Sequence, residues 1–365
     1  VKRLAGVTVV AAVLIAAWMT LRPVARTSSS EIPPLHPTAT PTSDRHSEYP
    51  DTVLEARLRA LVSRAPVRCS IVAKNLATGA IARVNADTLI PLLSVVKLPT
   101  AIVVLDGVDR NQWSLDTPIK LLPGDMHPRG WLGDRYPRGG GPVALHTLLY
   151  AMLTQSDNSA ADALMRFVGG PHAVTEWLER HGIHDLRVDR TERALGNDWY
   201  GLAPDADTMG TAEQIRQIRA QVPDAVQDSA VNAMYLDPRD TGSAAACVQV
   251  LARLWRGNLL STPMTDTLKS LLARCKTAPH RLPAMLPRGT PIARKTGTGG
   301  TWRGVTVAIN DVGVMRLPNG DDVAIAVLVG EPRGPVPRAE RLIARVARTV
   351  FDAWSGASSP TPAAN

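Results

Sequence analysis

Cysteine is scarce in this chain, with three in 365 residues and no spacing suited to a metal, and the eight histidines form no HExxH pair. These absences exclude the zinc-finger and zinc-hydrolase classes of site. Aromatic residues make up only 4% of the chain, and no basic run interleaves with them. The net charge of +8 is carried by arginines scattered from Arg57 to Arg348, which lacks the clustering a nucleic-acid surface requires. No lipobox cysteine is present, so no lipid anchor is expected. The 45% hydrophobic content is that of an ordinary globular protein.

The N-terminus has two basic residues, an apolar run from Leu4 to Leu21 and then a polar tail. That order is an export signal in residues 1–26. A run of about 18 residues also approaches the length of a membrane-spanning helix, so a cleaved signal and an uncleaved anchor both stand. Either places the protein outside the cytoplasm, periplasmic or secreted, free or tethered to the inner membrane. Residues 27–50 are rich in Ser, Thr and Pro without apolar period and read as a linker. The folded unit is expected over 51–354, with a small polar tail at 355–365.

TVLEARLRALVSR has helical period, and VRCSIVAKNL and IARVNA read as strands joined by a turn. The middle of the chain is a succession of helical patterns. RGVTVAINDVGVMRL and DDVAIAVLVGE then read as a hairpin around PNGD, followed by the amphipathic PRAERLIARVARTVFDAW. Strands at both ends and helices between them imply an α+β plan. Segments 51–92 and 285–354 would build an antiparallel sheet flanked by terminal helices, with 93–284 an inserted all-helical part. Two successive helical patterns, SAAACVQVLARLW and MTDTLKSLLARC, place Cys247 and Cys275 at similar distances from their turn, so the two could face one another, and whether they form a disulfide stays open.

PLLSVVKLPT puts Ser94 three residues ahead of Lys97 in an apolar helical run. On a helix that spacing brings the amine back to the hydroxyl. Further along come Ser156, Asp157 and Asn158 in MLTQSDNSAAD, Glu192 in RVDRTERALGNDW, and Lys295, Thr296 and Gly297 in PIARKTGTGG. Each alone is ordinary: SDN can cap a helix, KTG can be a turn, and a lone glutamate is usually solvated. All of them once each, in this order, form a pattern of another kind.

With SVVK, SDN, DRTE, DTGSAAA, KTGTGG and the strand pair ending AVLVGEP in place, the sequence resembles class A β-lactamases, within the set that also holds the penicillin-binding proteins. The resemblance spans essentially the whole domain. It implies a β-lactamase/transpeptidase-like fold, a β-lactam substrate, an acyl-enzyme on Ser94, no cofactor, no metal, no nucleic-acid partner and a monomer. A serine hydroxyl needs a neighbouring base. Lys97 can serve if its amine spends time neutral, which burial and the charge of Lys295 would favour. The resemblance assigns the oxyanion to the backbone N–H groups of Ser94 and Thr298. Ser156 becomes the proton relay, with Lys295 supporting it. Thr296, Gly297 and Thr298 would bind the substrate carboxylate beside Lys295, with Arg303 as an added cation. Asn158 would bind the acylamide and tether Lys97, and Trp131 is the aromatic chosen for stacking on a substrate side chain.

Glu192 is the expected base for deacylation, and it separates hydrolysis from simple acylation. The companion that the resemblance implies, an asparagine four residues on that completes the deacylation water site, is replaced by Gly196, with Asn197 one residue late, so either the loop adjusts to bring Asn197 to the water or the water is held differently. The segment from Asp198 to Arg239 is long and carries a helical pattern, TAEQIRQIRAQ, without an assigned role. A D,D-peptidase acting on D-Ala-D-Ala ends, and a non-catalytic receptor, are the alternatives that the same acylation set allows.

Overall fold

The computed structural model describes residues 48–65, 67–128, 130–203 and 212–356. The apolar N-terminal segment, most of the linker and the tail from residue 357 lie outside the described residues. Among the described residues, no helix is long and apolar enough to cross a membrane.

Six strands form the main sheet: β1 (Tyr49–Pro50), β2 (Arg68–Asn75), β3 (Ala80–Val84), β4 (Ile292–Thr298), β5 (Ala308–Arg316) and β6 (Asp322–Gly330). Their order is β1-β3-β2-β6-β5-β4, antiparallel except where β1 runs parallel to β3. β1 belongs to the fold rather than to a linker ending at 50, because Glu48 bonds Lys74 at 2.8 Å and Asp51 N donates to Ile81 O at 2.8 Å. Side chains alternate across the sheet. Ile325, Val327 and Val329 of β6 face one side, while Ala324, Ala326 and Leu328 face the other, and all are fully buried. The sheet is therefore covered on both faces.

One face packs on the terminal helices α1 (Thr52–Ser63) and α12 (Val336–Trp354). In α12, Ala339, Leu342, Ile343, Val346, Ala347 and Val350 recur at helical spacing as one apolar stripe. Trp354 Nε1 donates to Asp51, the N-cap of α1, at 2.9 Å and so ties the two helices end to end.

The inserted helical part covers the opposite face; it comprises α2 (Lys97–Asp109), α3 (Trp131–Arg135), α4 (Leu145–Thr154), α5 (Asn158–Phe167), α6 (Pro171–Arg180), α7 (Glu192–Tyr200), α8 (Ala212–Ala220), α9 (Asp224–Met234), α10 (Ala244–Trp255) and α11 (Thr262–Ala273), of which α10 and α11 make the main direct contacts with the strands. The α+β plan read from the sequence is the plan observed. Within TAEQIRQIRAQ, Ala212–Ala220 is helical, as α8.

Cys247 and Cys275 do not pair: all three cysteines are free. Cys247 turns into the core from α10, and burial pushes its thiol up to about 12. Cys275 lies past the end of α11 and contacts Thr277 Oγ1 at 3.3 Å. Counting residues from the turn put the pair at equal depth, but α10 packs over β2 and β6 while α11 packs over β4.

Ile325→Ala would open a cavity in the most central strand, between α12 and the sheet. The expected loss is about 2–5 kcal/mol, measured as a fall in urea midpoint at constant slope. A loss under about 1 kcal/mol would contradict close packing at that position.

Candidate active site

The site assembles where the end of β4 passes the start of α2. Ser94 sits in a short 3-10 turn, Leu93–Val96, that leads into Lys97. Leu93 has φ of 53°, a left-handed conformation that costs a leucine free energy. Hydrogen bonds on the preceding residues hold it there. Leu92 N donates to Asp240 O at 2.8 Å, and Asn310 Nδ2 donates to Pro91 O at 2.8 Å and to Leu92 O at 3.2 Å. The Leu93 side chain is buried in the larger core, which adds an apolar anchor. A Cβ at Gly297 would lie 2.4 Å from Leu92 O. Only glycine lets β4 come this close to the serine turn.

Lys97 is fully buried, and its Nζ lies within hydrogen-bond reach of several oxygens. These are Ser94 Oγ (2.9 Å), Ser156 O (2.9 Å), Ser156 Oγ (3.3 Å), Asn158 Oδ1 (2.5 Å) and Glu192 Oε1 (2.9 Å). An ammonium has three N–H donors, so the acceptors outnumber them and a proton in this cluster has several places to go. Ser94 Oγ also lies 3.3 Å from Glu192 Oε1 and can donate to it. Ser156, at φ 59°, follows α4 and presents both its carbonyl and its hydroxyl to Lys97. Asp157 caps α5 by accepting from Ala160 N at 2.9 Å, which fixes Asn158 as the first residue of that helix.

Ser156 Oγ also accepts from Lys295 Nζ at 3.0 Å, so one hydroxyl stands between two lysines. Burial first, and the Lys97 charge second, pull the Lys295 amine down to about 7. For Glu192, burial pushes the carboxyl up, but Lys97 at 2.9 Å, with His127 and Lys295 beyond it, outweighs that and holds it below the ordinary range.

Glu192 opens α7, and the first amides of that helix are satisfied. Asp162 accepts from Glu192 N (2.7 Å) and Arg193 N (3.0 Å), and the Thr191 hydroxyl accepts from Ala194 N (3.1 Å). His127 meets the same Asp162 at 2.7 Å. Arg190, just before, joins Asp198, Asp237 and Asp240 at 2.6–2.8 Å and pins the segment at both ends.

Ser94, Ser156, Asn158, Glu192, Thr296 and Thr298 line one cleft of about 390 Å³. Lys97 and Lys295 lie beneath it with no exposed surface. Gly299 N donates to Ala308 O at 3.0 Å on the β5 side. By strand alternation the Thr298 N–H points away from β5, to the open edge of β4. Among the described residues, no group of three or more His, Cys, Asp or Glu is gathered as a metal would require.

Three expected residues stand elsewhere. Arg303 sits in a turn at φ 45° and pairs with Asp228 of α9 at 2.6 Å, outside the cleft lining. The cation against Thr298 is instead Arg281, nearly fully buried, whose Nη2 donates to Thr298 Oγ1 at 2.7 Å and whose Nη1 donates to Gly297 O and Asn310 O at 2.9 Å each. No local pattern marks Arg281 among the scattered arginines. Trp131 begins α3, with Arg135 over its ring at 5.6 Å, and does not line the cleft. The lining tryptophan is Trp199, against which a Cβ at Gly300 would stand 2.6 Å away. Asn197 is buried and accepts from Arg219 Nη2 at 2.9 Å, while Gly196 lines the cleft. One residue along a helix is a turn of about 100°, and that rotates Asn197 out of the site.

The model of the β-lactamase enzyme family matches residues 53–354. The β-lactamase VEB-1 of Pseudomonas aeruginosa is 26% identical over 272 residues, 74% of this chain and 80% of that protein. The extended-spectrum β-lactamase PER-1 of the same organism is 29% identical over 275 residues, 73% of this chain and 76% of its own. The crystal structure of a β-lactamase from Chitinophaga pinensis matches with a TM-score of 0.68 at 27% identity, covering 82% of this chain and 99% of that one.

Lys295 gives a direct test of the site's electrostatics. With ¹³C-labelled lysine, one resonance should titrate near pH 7 and vanish in Lys295→Met. Because the unfolded lysine binds its proton up to about pH 10.4, the unfolded state holds more protons between these values. This group therefore makes stability rise with pH across that window. A Lys295 resonance titrating above pH 10 would refute the assignment.

Proposed function

The chain belongs to the β-lactamase enzyme family, and from that premise we propose how its residues divide the work of a class A serine β-lactamase, the enzyme that hydrolyses the β-lactam amide and confers resistance to these antibiotics. The observation that carries the proposal is that Ser94 Oγ touches both Lys97 Nζ, at 2.9 Å, and Glu192 Oε1, at 3.3 Å.

In acylation, Lys97 passes a proton to Glu192 across their 2.9 Å contact and so frees its lone pair. It then takes the Ser94 proton as Oγ attacks the lactam carbonyl. The oxyanion is held by the N–H groups of Ser94 and Thr298, each worth a few kcal/mol of barrier by about the usual measure. The relay runs from Lys97 to Ser156 Oγ and on to the ring nitrogen as the C–N bond breaks. The 3.3 Å and 3.0 Å contacts of Ser156 to the two lysines support this order. Lys295 and Thr298, with Arg281 behind Thr298, bind the substrate carboxylate, and Thr296 and Gly297 form the strand edge along which it lies. Asn158 holds the acylamide and Lys97 together.

Before deacylation Glu192 returns its proton to Lys97 across the same 2.9 Å contact, and as a carboxylate again it draws a proton from water as the water oxygen attacks the acyl carbonyl. The ester bond to Ser94 then breaks and Oγ recovers its proton. A carboxylate held below its ordinary range is ionised at neutral pH, as this role demands. A transpeptidase, which passes the acyl group to an amine instead of water, would need no such water-activating base beside the nucleophile. The basic, apolar and polar order of residues 1–26 supports export before the enzyme acts. Every group named here comes from one chain, so a monomer suffices.

Mass spectrometry after mixing with benzylpenicillin tests the roles. The parent should show an acyl adduct that clears, Glu192→Ala one that persists, and Ser94→Ala none. Equal clearance in the parent and in Glu192→Ala would remove Glu192 from the mechanism.

The carboxylate assignment has its own pH signature. In the free enzyme kcat/KM should fall above about pH 7 as Lys295 loses its charge. In kcat the fall should come at higher pH, because a bound carboxylate favours the charged amine. Identical alkaline limbs in the two profiles would contradict Lys295 as the carboxylate partner.

A further inference from the structure

Gly196 leaves an opening on α7 that another helix fills. Residues 192 and 196 are four apart on α7, so they lie on one face, one turn apart. A Cβ built at Gly196 would stand 2.6 Å from Arg219 Nη2 and 3.2 Å from Arg219 Nη1. The guanidinium of α8 thus occupies the place a side chain at 196 would take. Arg219 lines the cleft together with Glu192, Gly196 and Trp199. It is held there by Nη2 donating to Asn197 Oδ1 at 2.9 Å and by Tyr200, whose ring centre lies 5.3 Å from its guanidinium carbon.

We propose that Arg219, brought from α8, positions the water that Glu192 activates, doing from another helix what a polar side chain at 196 would do. This rests on the reading of Glu192 as the base for deacylation. A water attacking the acyl carbonyl must give one proton to the carboxylate while a donor holds its oxygen in line. A guanidinium supplies fixed N–H donors in a plane. The donor must also lie on the Glu192 face of α7, within a turn of it, and the opening at Gly196 meets that condition. Acylation runs through Ser94, Lys97, Ser156 and the Glu192 carboxylate that faces Lys97, and does not use the opening at Gly196.

The test is a rapid-mixing measurement of acylation and deacylation rates on the full chain with nitrocefin. Arg219→Ala should leave acylation within about threefold and slow deacylation by about tenfold or more, as loss of one charged hydrogen bond implies. Arg219→Lys should recover part of the rate. The pair Gly196→Asn with Arg219→Ala should recover most of it, because the asparagine then has room. If the alanine variant does not fold, Arg219→Met keeps the bulk and reads the same split. Unchanged deacylation, or equal slowing of both steps that neither lysine nor the paired substitution relieves, would overturn the proposal. No acyl-enzyme in the parent would overturn the reading of Ser94, and this proposal with it.

Discussion

A fully buried ammonium sets the terms for the rest of this structure. Lys97 has no exposed surface, and leaving such a charge without partners costs roughly 3–5 kcal/mol. Its partners come from three separate stretches of chain: Ser94 on the same turn, Ser156 and Asn158 at the α4–α5 junction, and Glu192 at the start of α7. Each must be delivered to within a few tenths of an ångström. The strained backbone at Leu93 and Ser156 follows from that demand, because regular helix or strand at either place would turn the required atoms away. The same crowding of acceptors makes the cluster reactive, since no single proton arrangement satisfies it.

The second lysine shows why the sheet matters to the chemistry. Lys295 comes from β4, at the edge of a sheet whose other strands include both ends of the folded chain. Its amine meets Ser156 only because β4 runs close over the serine turn, and Gly297 permits that approach. A larger residue would press on Leu92 O and push the strand, and Lys295 with it, off the helical part. Burial between two layers then lowers the amine to about 7, so the fold decides both where this charge sits and how firmly it is held.

What was legible in the sequence was what local spacing encodes. Ser94 and Lys97 are three apart on one helical turn, SDN combines an N-cap with two site residues, and KTG needs its glycine, so each could be read from a few neighbours. The sheet hairpins and the stripe of α12 were legible for the same reason, by period two and period 3.6. Arg281 was not, because its role comes from the crossing of its loop behind β4, which no local pattern records. Arg303 stands apart from the cleft because the chain turns there, at φ 45°, and no local pattern shows which way such a turn sends its side chain. Trp131 and Trp199 are both tryptophans near polar stretches, and only the packing of Gly300 against Trp199 tells them apart. Whether the cysteines pair was not legible either, since distance from a turn says nothing of which helix face they occupy.

Asp240 explains how two of these distant parts move as one. Its carbonyl accepts from Leu92 N at 2.8 Å, directly before the strained residue that sets up Ser94. Its carboxylate accepts from the backbone of Asp189 and Arg190 at 2.7 and 3.1 Å, and from Arg190 Nε at 2.6 Å, two residues before Glu192. Its own N–H returns a bond to Asp189 at 2.8 Å, and its φ of 52° lets the main chain and side chain face these two directions at once. The serine turn and the glutamate segment are therefore fastened to one residue rather than to separate anchors. A shift of either would carry the other with it, which keeps the distances from Ser94 Oγ to Lys97 and Glu192 matched. An enzyme that uses the same serine twice, first as nucleophile and then as leaving group, depends on that matching more than on the strength of any one bond.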